Sequence, residues 1–274
     1  FVKRFNVLQP HIPQRKCFSR KLVRSGNVVE VYDYEEPVLK GGGARKGRAA
    51  ALLTSAEVKQ DNRRKTANRA RQKVCRTINA NPALDKFLTL TFAENVTDLD
   101  RAWADFNRFT KRLSFRFGHI RYVCVIEFQT RGAVHFHLVC DLPFVDVNAL
   151  AKVWGKGFIK LNRTDNAQNV GAYVSKYMTK ENMDERLIGR KCYSMSHGLN
   201  APEVLTDEEA IAEELAALED VVDVFTSSYE SEYYGVVTYT RITCRRRPEK
   251  PSARRMSPHR GTGASPCIQP KRRA

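Results

Sequence analysis

Glu127, His135 and His137 fall close together in the chain, and Tyr173 and Tyr177 follow with Lys176 between them. Imidazole and carboxylate groups bind divalent cations, and a tyrosine hydroxyl is a nucleophile that can form a covalent bond to phosphorus. Brought together, these residues would cut a nucleic-acid strand and keep it attached to the protein. Side chains alternate along a strand, so in Val134-His135-Phe136-His137-Leu138 the two histidines share one face and Phe136 takes the other. Thr130-Arg131-Gly132 reads as a short hairpin connection. If the hairpin closes symmetrically about Arg131, Glu127 stands opposite His135 and all three side chains meet on one face. That predicts a two-histidine, one-carboxylate site with positions open for substrate and water. Imidazole suits Mn, Zn, Co or Ni, while the carboxylate and an incoming phosphate suit Mg or Mn, so Mg2+ or Mn2+ is the cation expected during catalysis. Gln129 shares the strand face of Glu127 and is a further or substitute ligand. A histidine pair alone is more often a hydrogen-bonded surface or core feature. The register with Glu127 and the tyrosines downstream favour the metal site here, whereas His11, His119, His197 and His259 have no such setting.

Tyr173 and Tyr177 are four apart in a helix predicted over residues 166–180, so both hydroxyls project from one face, with Lys176 and Lys180 on a neighbouring stripe. A tyrosine hydroxyl is protonated at neutral pH, with an ordinary pKa of about 10. Its attack on phosphorus therefore needs a polarised phosphate and a nearby cation, and Lys176 can stabilise the developing anion or position the scissile phosphate. A phosphotyrosine keeps the energy of the broken bond, so rejoining needs no ATP. The other reading of the four-residue spacing is a pair of core residues on an amphipathic helix, and distance to the histidines decides between them.

The elements that must hold these groups follow from periodicity. Phe87-Leu88-Thr89-Leu90-Thr91-Phe92 is a strand with threonines on one face. A helix over residues 97–117 buries Leu99, Trp103, Phe106, Leu113 and Phe117 and turns Arg108, Lys111, Arg112 and Arg116 outward. Residues 121–129 and 133–140 are strands, 146–154 a short helix and 157–161 a short strand. The order β-α-β-β-α-β followed by a helix predicts an α+β fold, a ferredoxin-like or RRM-like antiparallel sheet backed by helices, with an open sheet face for binding.

Around this middle part, charge divides the chain. Lys and Arg number 47 against 30 Asp and Glu, a net charge of +17, which calls for a polyanionic partner, nucleic acid first. Membrane is excluded as a span, because no apolar run reaches the roughly 18–20 residues required. Residues 1–53 form a basic N-terminal segment ending in a Gly41-Gly42-Gly43 linker. A basic helix over 54–80, opened by a Thr54–Glu57 capping box, carries Arg63, Arg64, Arg69 and Lys73 as candidate DNA contacts, with Lys180 downstream. The nuclease unit runs to 243, and an acidic helical insertion at about 203–232 opens on a second capping box at Thr206. That insertion is read as structural, with a DNA mimic or a partner-docking element as alternatives. Residues 244–274 read as a disordered basic tail. Seven scattered cysteines without a CxxC pair predict no disulfide framework and a reducing, cytoplasmic setting. The chain begins at Phe1 and not at Met, which predicts a processed or partial sequence. A phosphate-binding GxxxxGK[ST] loop is missing, so the chain is expected to borrow a helicase.

Taken together, the motifs resemble the rolling-circle replication initiators of the HUH endonuclease superfamily. Phe87-Leu-Thr-Leu-Thr-Phe92 is similar to their first motif, Ala133-Val-His-Phe-His-Leu138 to the metal motif, and Tyr173-Val-Ser-Lys-Tyr-Met-Thr-Lys180 to the nucleophile motif of the two-tyrosine type found in small single-stranded DNA phages and related plasmids or integrative elements. Gly189-Arg190 and Tyr193-Ser-Met-Ser196 look like a trailing family segment, and the resemblance covers residues 85–200 or so. It implies an HUH fold with His135, His137 and Glu127 as metal ligands and Tyr173 as first nucleophile. Tyr177 would make the second cleavage, and the products would be a 5′-phosphotyrosine and a free 3′-hydroxyl that primes the host polymerase. The implied partners are single-stranded or hairpin origin DNA, host helicase and DNA polymerase. Conjugative relaxases carry their nucleophile before the histidine pair, opposite to the order here. An HUH-type transposase and a non-catalytic DNA-binding regulator are the alternatives. An RNA-binding module on the same sheet is opposed by the histidines occupying its face.

Overall fold

Alternation and helical periodicity assemble one sheet around the predicted middle part. In the computed structural model, which describes residues 17–40, 56–178, 184–187 and 189–246, the strands Lys86–Thr91 (β3), Tyr122–Phe128 (β4), Val134–Cys140 (β5), Ile159–Arg163 (β6) and Tyr193–Met195 (β7) pair antiparallel in the order β6-β3-β5-β4-β7. Without β7 this is the ferredoxin-like strand order, and the fold is α+β as expected. Helices Leu99–Phe117 (α2) and Val147–Trp154 (α3) cover one face, packing Phe106, Phe109, Leu113, Leu150 and Trp154 on Leu88, Leu90, Ile126, Phe136 and Leu138. Both helices start on aspartate caps: Asp98 accepts from the Asp100 and Arg101 amides at 2.7 and 3.0 Å, and Asp146 from those of Asn148 and Ala149, satisfying N–H groups that the helix itself leaves unpaired.

The other face is covered too, which corrects the expectation of an open sheet. Val74 and Ile78 of the basic helix Ala56–Asn79 (α1), with Val170, Val174 and Met178, pack on Phe87, Val123, Val125 and Val139. The histidines therefore lie under helices and not on an exposed platform. The predicted helix over 166–180 is also shorter. It runs Val170–Ser175 (α4) and tightens into a 3₁₀ turn at Lys176–Met178. Asn169 caps it, accepting from the Ala172 amide at 2.8 Å and from Asn79 Nδ2 at 2.9 Å, while Asn79 Oδ1 accepts from the Gly171 amide at 2.8 Å. Start and direction of the tyrosine helix are thus fixed by the end of α1. Lys180 and the Thr54–Glu57 capping box lie outside the described residues or side chains, as do the Gly41-Gly42-Gly43 linker and all of the tail beyond 246.

The basic N-terminal segment and the acidic region share a second sheet that charge patterning did not reveal. Strands Cys17–Ser25 (β1) and Val28–Leu39 (β2) pair with Glu203–Leu205 (β8), Val221–Ser231 (β9) and Gly235–Cys244 (β10) in the antiparallel order β8-β1-β2-β10-β9. The stretch expected as a helical insertion is therefore strand, helix and strand. Its helix, Glu208–Ala216 (α5), is capped by Asp207 and not by Thr206, and seats Ile211 on Leu22, Val29 and Val31. β6 likewise runs past Leu161, where a loop was expected. The six described cysteines are free thiols. Among the described residues no helix is long and apolar enough to cross a membrane.

Candidate functional site

The β4–β5 ladder sets the site. Glu127 pairs directly with His135, and Val125 with His137, as symmetric closure about Arg131 predicts. The turn uses Gly132 at φ +83°, a left-handed conformation that suits glycine, and the Gly132 amide donates to Gln129 O at 2.7 Å. Arg186 braces this end: its Nη1 donates to Gly132 O at 2.9 Å and its guanidinium lies 3.6 Å from the Phe128 ring centre. The candidate ligand atoms of Glu127, His135 and His137 all lie within 4.8 Å of one another. Gln129 is not drawn in, because its Oε1 accepts from Arg131 Nε at 2.9 Å.

Strand β3 orients the second histidine from the opposite side. Thr89 is in register with His137, and its Oγ1 sits 3.2 Å from Nδ1, which leaves Nε2 turned to Glu127 Oε2 at 2.5 Å. His135 Nε2 is buried and has no hydrogen-bond partner. Burial, with His137 beside it, holds the His135 pKa below the ordinary imidazole range, so its lone pair stays available at neutral pH. An orphaned buried nitrogen, a carboxylate and a second imidazole whose far nitrogen is already engaged form a donor set suited to a divalent cation.

The tyrosines close over this cluster. The Tyr177 ring stacks on His137 with centroids 4.0 Å apart and planes 18° apart, and His137 stacks in turn near Phe87 at 5.7 Å. Tyr173 stands edge-on to Tyr177 at 6.1 Å and is 39% exposed. Lys176 Nζ lies 4.0 Å from the Tyr173 ring centre and 5.4 Å from that of Tyr177. Burial, the hydrogen bond to Tyr173 and the nearby Glu127 carboxylate raise the Tyr177 pKa, so this hydroxyl keeps its proton at neutral pH. The distance that separates a nucleophile pair from a core pair is thus a short one: one tyrosine rests on a candidate ligand.

Residues 85–182 match the model of a family described as Replication-associated protein ORF2. That match supports a replication-initiator family. It spans the first strand of the site, the histidine pair and both tyrosines. Comparisons with curated proteins and with solved structures find no match.

The basic residues expected to touch DNA divide by position. Arg69 and Lys73 line a cleft of about 620 Å3 between α1 and residues 195–202. Arg63 donates to Asp184 O at 2.9 Å, tying α1 to the segment that braces the hairpin, and Arg64 pairs with Asp61 at 3.0 Å. His119 contacts His197 O at 3.3 Å on the surface, away from the cluster. Sequence reasoning missed two supports of the site, Thr89 and Phe87. The period-two pattern of β3 placed threonines on one face, and that was the available signal. The trailing segment became β7, with Tyr193 in register with Val125 beside the site.

Proposed function

We propose that this chain initiates rolling-circle replication by nicking one strand of origin DNA with a tyrosine, in the manner of a two-tyrosine HUH endonuclease. The observation that carries the reading is the stack of Tyr177 on His137, which puts both hydroxyl-bearing rings against the His135–His137–Glu127 cluster. The cluster would hold Mg2+ or Mn2+, which when bound supplies Lewis-acid polarisation of the scissile phosphate. Tyr173 acts first: it is the more exposed ring, and Tyr177 is held protonated. Its Oη forms the bond to phosphorus and the P–O3′ bond breaks. The phenolic proton passes to water, and the departing 3′-oxygen takes one up. Lys176 lies close enough to place its charge beside the phosphate as the pentavalent anion develops. The product is a 5′-phosphotyrosine with a free 3′-hydroxyl for host helicase and polymerase to extend from. Attack of a 3′-hydroxyl on the phosphotyrosine rejoins the strand and regenerates the tyrosine, and Tyr177 takes the second cleavage.

The test is incubation of the full chain with a labelled single-stranded oligonucleotide library and Mn2+ or Mg2+, followed by denaturing electrophoresis and mass mapping of adducts. Wild type is expected to give an adduct on Tyr173. Tyr177→Phe should retain that first adduct and lose the second transfer, and Tyr173→Phe with Tyr177→Phe should lose both. Tight binding with no adduct under either metal would instead make the chain a DNA-binding regulator.

A further inference from the structure

The side of α4 turned away from the tyrosines lines a second cleft. Ala172 and Ser175 form part of a cavity of about 440 Å3 enclosed by α1, α4 and the β2, β9 and β10 strands of the second sheet. That volume lies within the range of small-ligand sites, roughly 300–1,000 Å3. Three guanidinium groups, Arg71, Arg76 and Arg241, face it against a single carboxylate, Glu30. Glu30 is already engaged: Arg76 donates to it through Nε at 2.5 Å and Nη2 at 3.2 Å, and Tyr239 Oη at 3.0 Å. Arg241 reaches Asp223 through Nη2 at 3.0 Å, yet its Nε is buried with no partner. Ser25, 1% exposed, also leaves its hydroxyl unpaired. Among the described residues no carboxylate bridges Arg71, whose Nε lies 3.4 Å from Ser175 Oγ. Tyr229, half exposed, adds an aromatic face to the same wall.

Buried donors without acceptors, arginine in excess of carboxylate and an accessible ring match a ligand that joins an anion to a flat heterocycle. We propose that this cleft holds one nucleotide of the single-stranded DNA adjoining the cleavage site, with its phosphate on Arg71 and Arg241 and its base on Tyr229. The inference rests on the nicking reading above and extends it. α4 is one helix wide, on the order of 10–12 Å, so a strand engaged in the cleft passes around the same helix that presents Tyr173 and Tyr177. Occupancy of the cleft would then fix which phosphate reaches the tyrosines.

The experiment measures binding without cleavage, using the full chain and a fluorescein-labelled oligothymidylate in EDTA across a salt series. Arg71→Gln with Arg241→Gln is expected to weaken binding roughly tenfold and to flatten the log–log salt dependence by about 1.4, since a single-strand phosphate contact accounts for about 0.7. The corresponding double Lys variant should restore the salt slope, and thermal melts confirm that each variant is folded. Photocrosslinking with 5-iododeoxyuridine substituted into the oligonucleotide should mark Tyr229 or Tyr239. Unchanged affinity and slope in the Gln variant, or crosslinks confined to the Arg69–Lys73 cleft, overturns the proposal. Displacement of bound label from wild type but not from the Gln variant by low concentrations of inorganic phosphate would assign the cleft to a free anion and also overturn it. A wild-type chain that binds oligothymidylate but forms no tyrosine adduct with Mn2+ overturns the nicking reading alone. One that binds no single-stranded DNA overturns both.

Discussion

His135 carries the clearest chemical signature in the molecule, because a buried imidazole nitrogen without a partner is destabilising unless something occupies it. His135→Gln should abolish stoichiometric Mn2+ binding, measured by titration calorimetry, while leaving the sheet folded. The same residue sets a pH dependence in the metal-free protein. Its folded pKa is held below the ordinary value of about 6.5, so on acidification the unfolded chain takes up a proton that the folded chain refuses. Stability is therefore intact above that ordinary value and falls as pH drops toward the depressed folded pKa. Melting curves in EDTA should show this loss in wild type and a shallower one in His135→Gln. Thr89 acts on the other histidine through Nδ1, and Thr89→Val is expected to weaken metal binding by about tenfold or more, with the fold unchanged. The ligands were legible because a two-residue repeat on a strand has only one geometric meaning. Thr89 was not, because the partner that orients His137 lies on a different strand, and register between β3 and β5 cannot be read from either strand alone.

At the scale of the element, α4 shows where local pattern stops. The spacing of Tyr173 and Tyr177 predicts a regular helix to residue 180, whereas the helix starts late and tightens into a 3₁₀ turn that contains Tyr177. Its start is dictated by Asn79 from α1, a tertiary contact that no window around the tyrosines contains. Gly171 makes that contact close: a Cβ there would meet Cys75 O at 2.2 Å, a main-chain atom that cannot step aside as a flexible side chain would. Gly171→Ala should therefore push α4 from α1, costing about 1–3 kcal/mol in a denaturant melt. Because α4 and its closing turn carry both tyrosines, the same change should lower the rate of adduct formation more than it lowers oligonucleotide affinity. Equal losses in both would mean that α4 positions DNA and not the nucleophile. The strongly amphipathic α2 was readable nearly to the residue, its cap at Asp98 included within the predicted span, since both its periodicity and its start signal are local.

Across the whole molecule, the second sheet joins the two ends of the described chain: β1 and β2 precede the strands of the first sheet, while β8, β9 and β10 follow them. Its strands carry mixed charged and β-branched residues, as in Cys17–Ser25, so they read as a basic segment at one end and an acidic insertion at the other. Only their mutual pairing makes them a sheet, and that pairing spans most of the chain. Two polar clamps attach it to the first sheet. Arg76 of α1 holds Glu30 of β2 and donates to Tyr32 Oη at 2.6 Å. Arg246, just after β10, donates through Nη1 to Thr164 O at 2.9 Å and through Nη2 to Pro82 O at 3.0 Å, while its amide donates to Gln168 Oε1 at 2.7 Å. Burial lowers the Arg246 pKa from its ordinary value, which still leaves the guanidinium charged, so the clamp persists through neutral pH. Arg246→Ala would leave those two carbonyls without their donors, a loss of about 1–3 kcal/mol on unfolding. If Arg246 couples the sheets, the single unfolding transition of the wild type should broaden or split in the variant, with the second sheet becoming sensitive to protease first. A uniform shift of one sharp transition would instead assign the coupling to Arg76 and Glu30, which sit beside the proposed nucleotide cleft and would then link strand binding to the assembly of the two sheets.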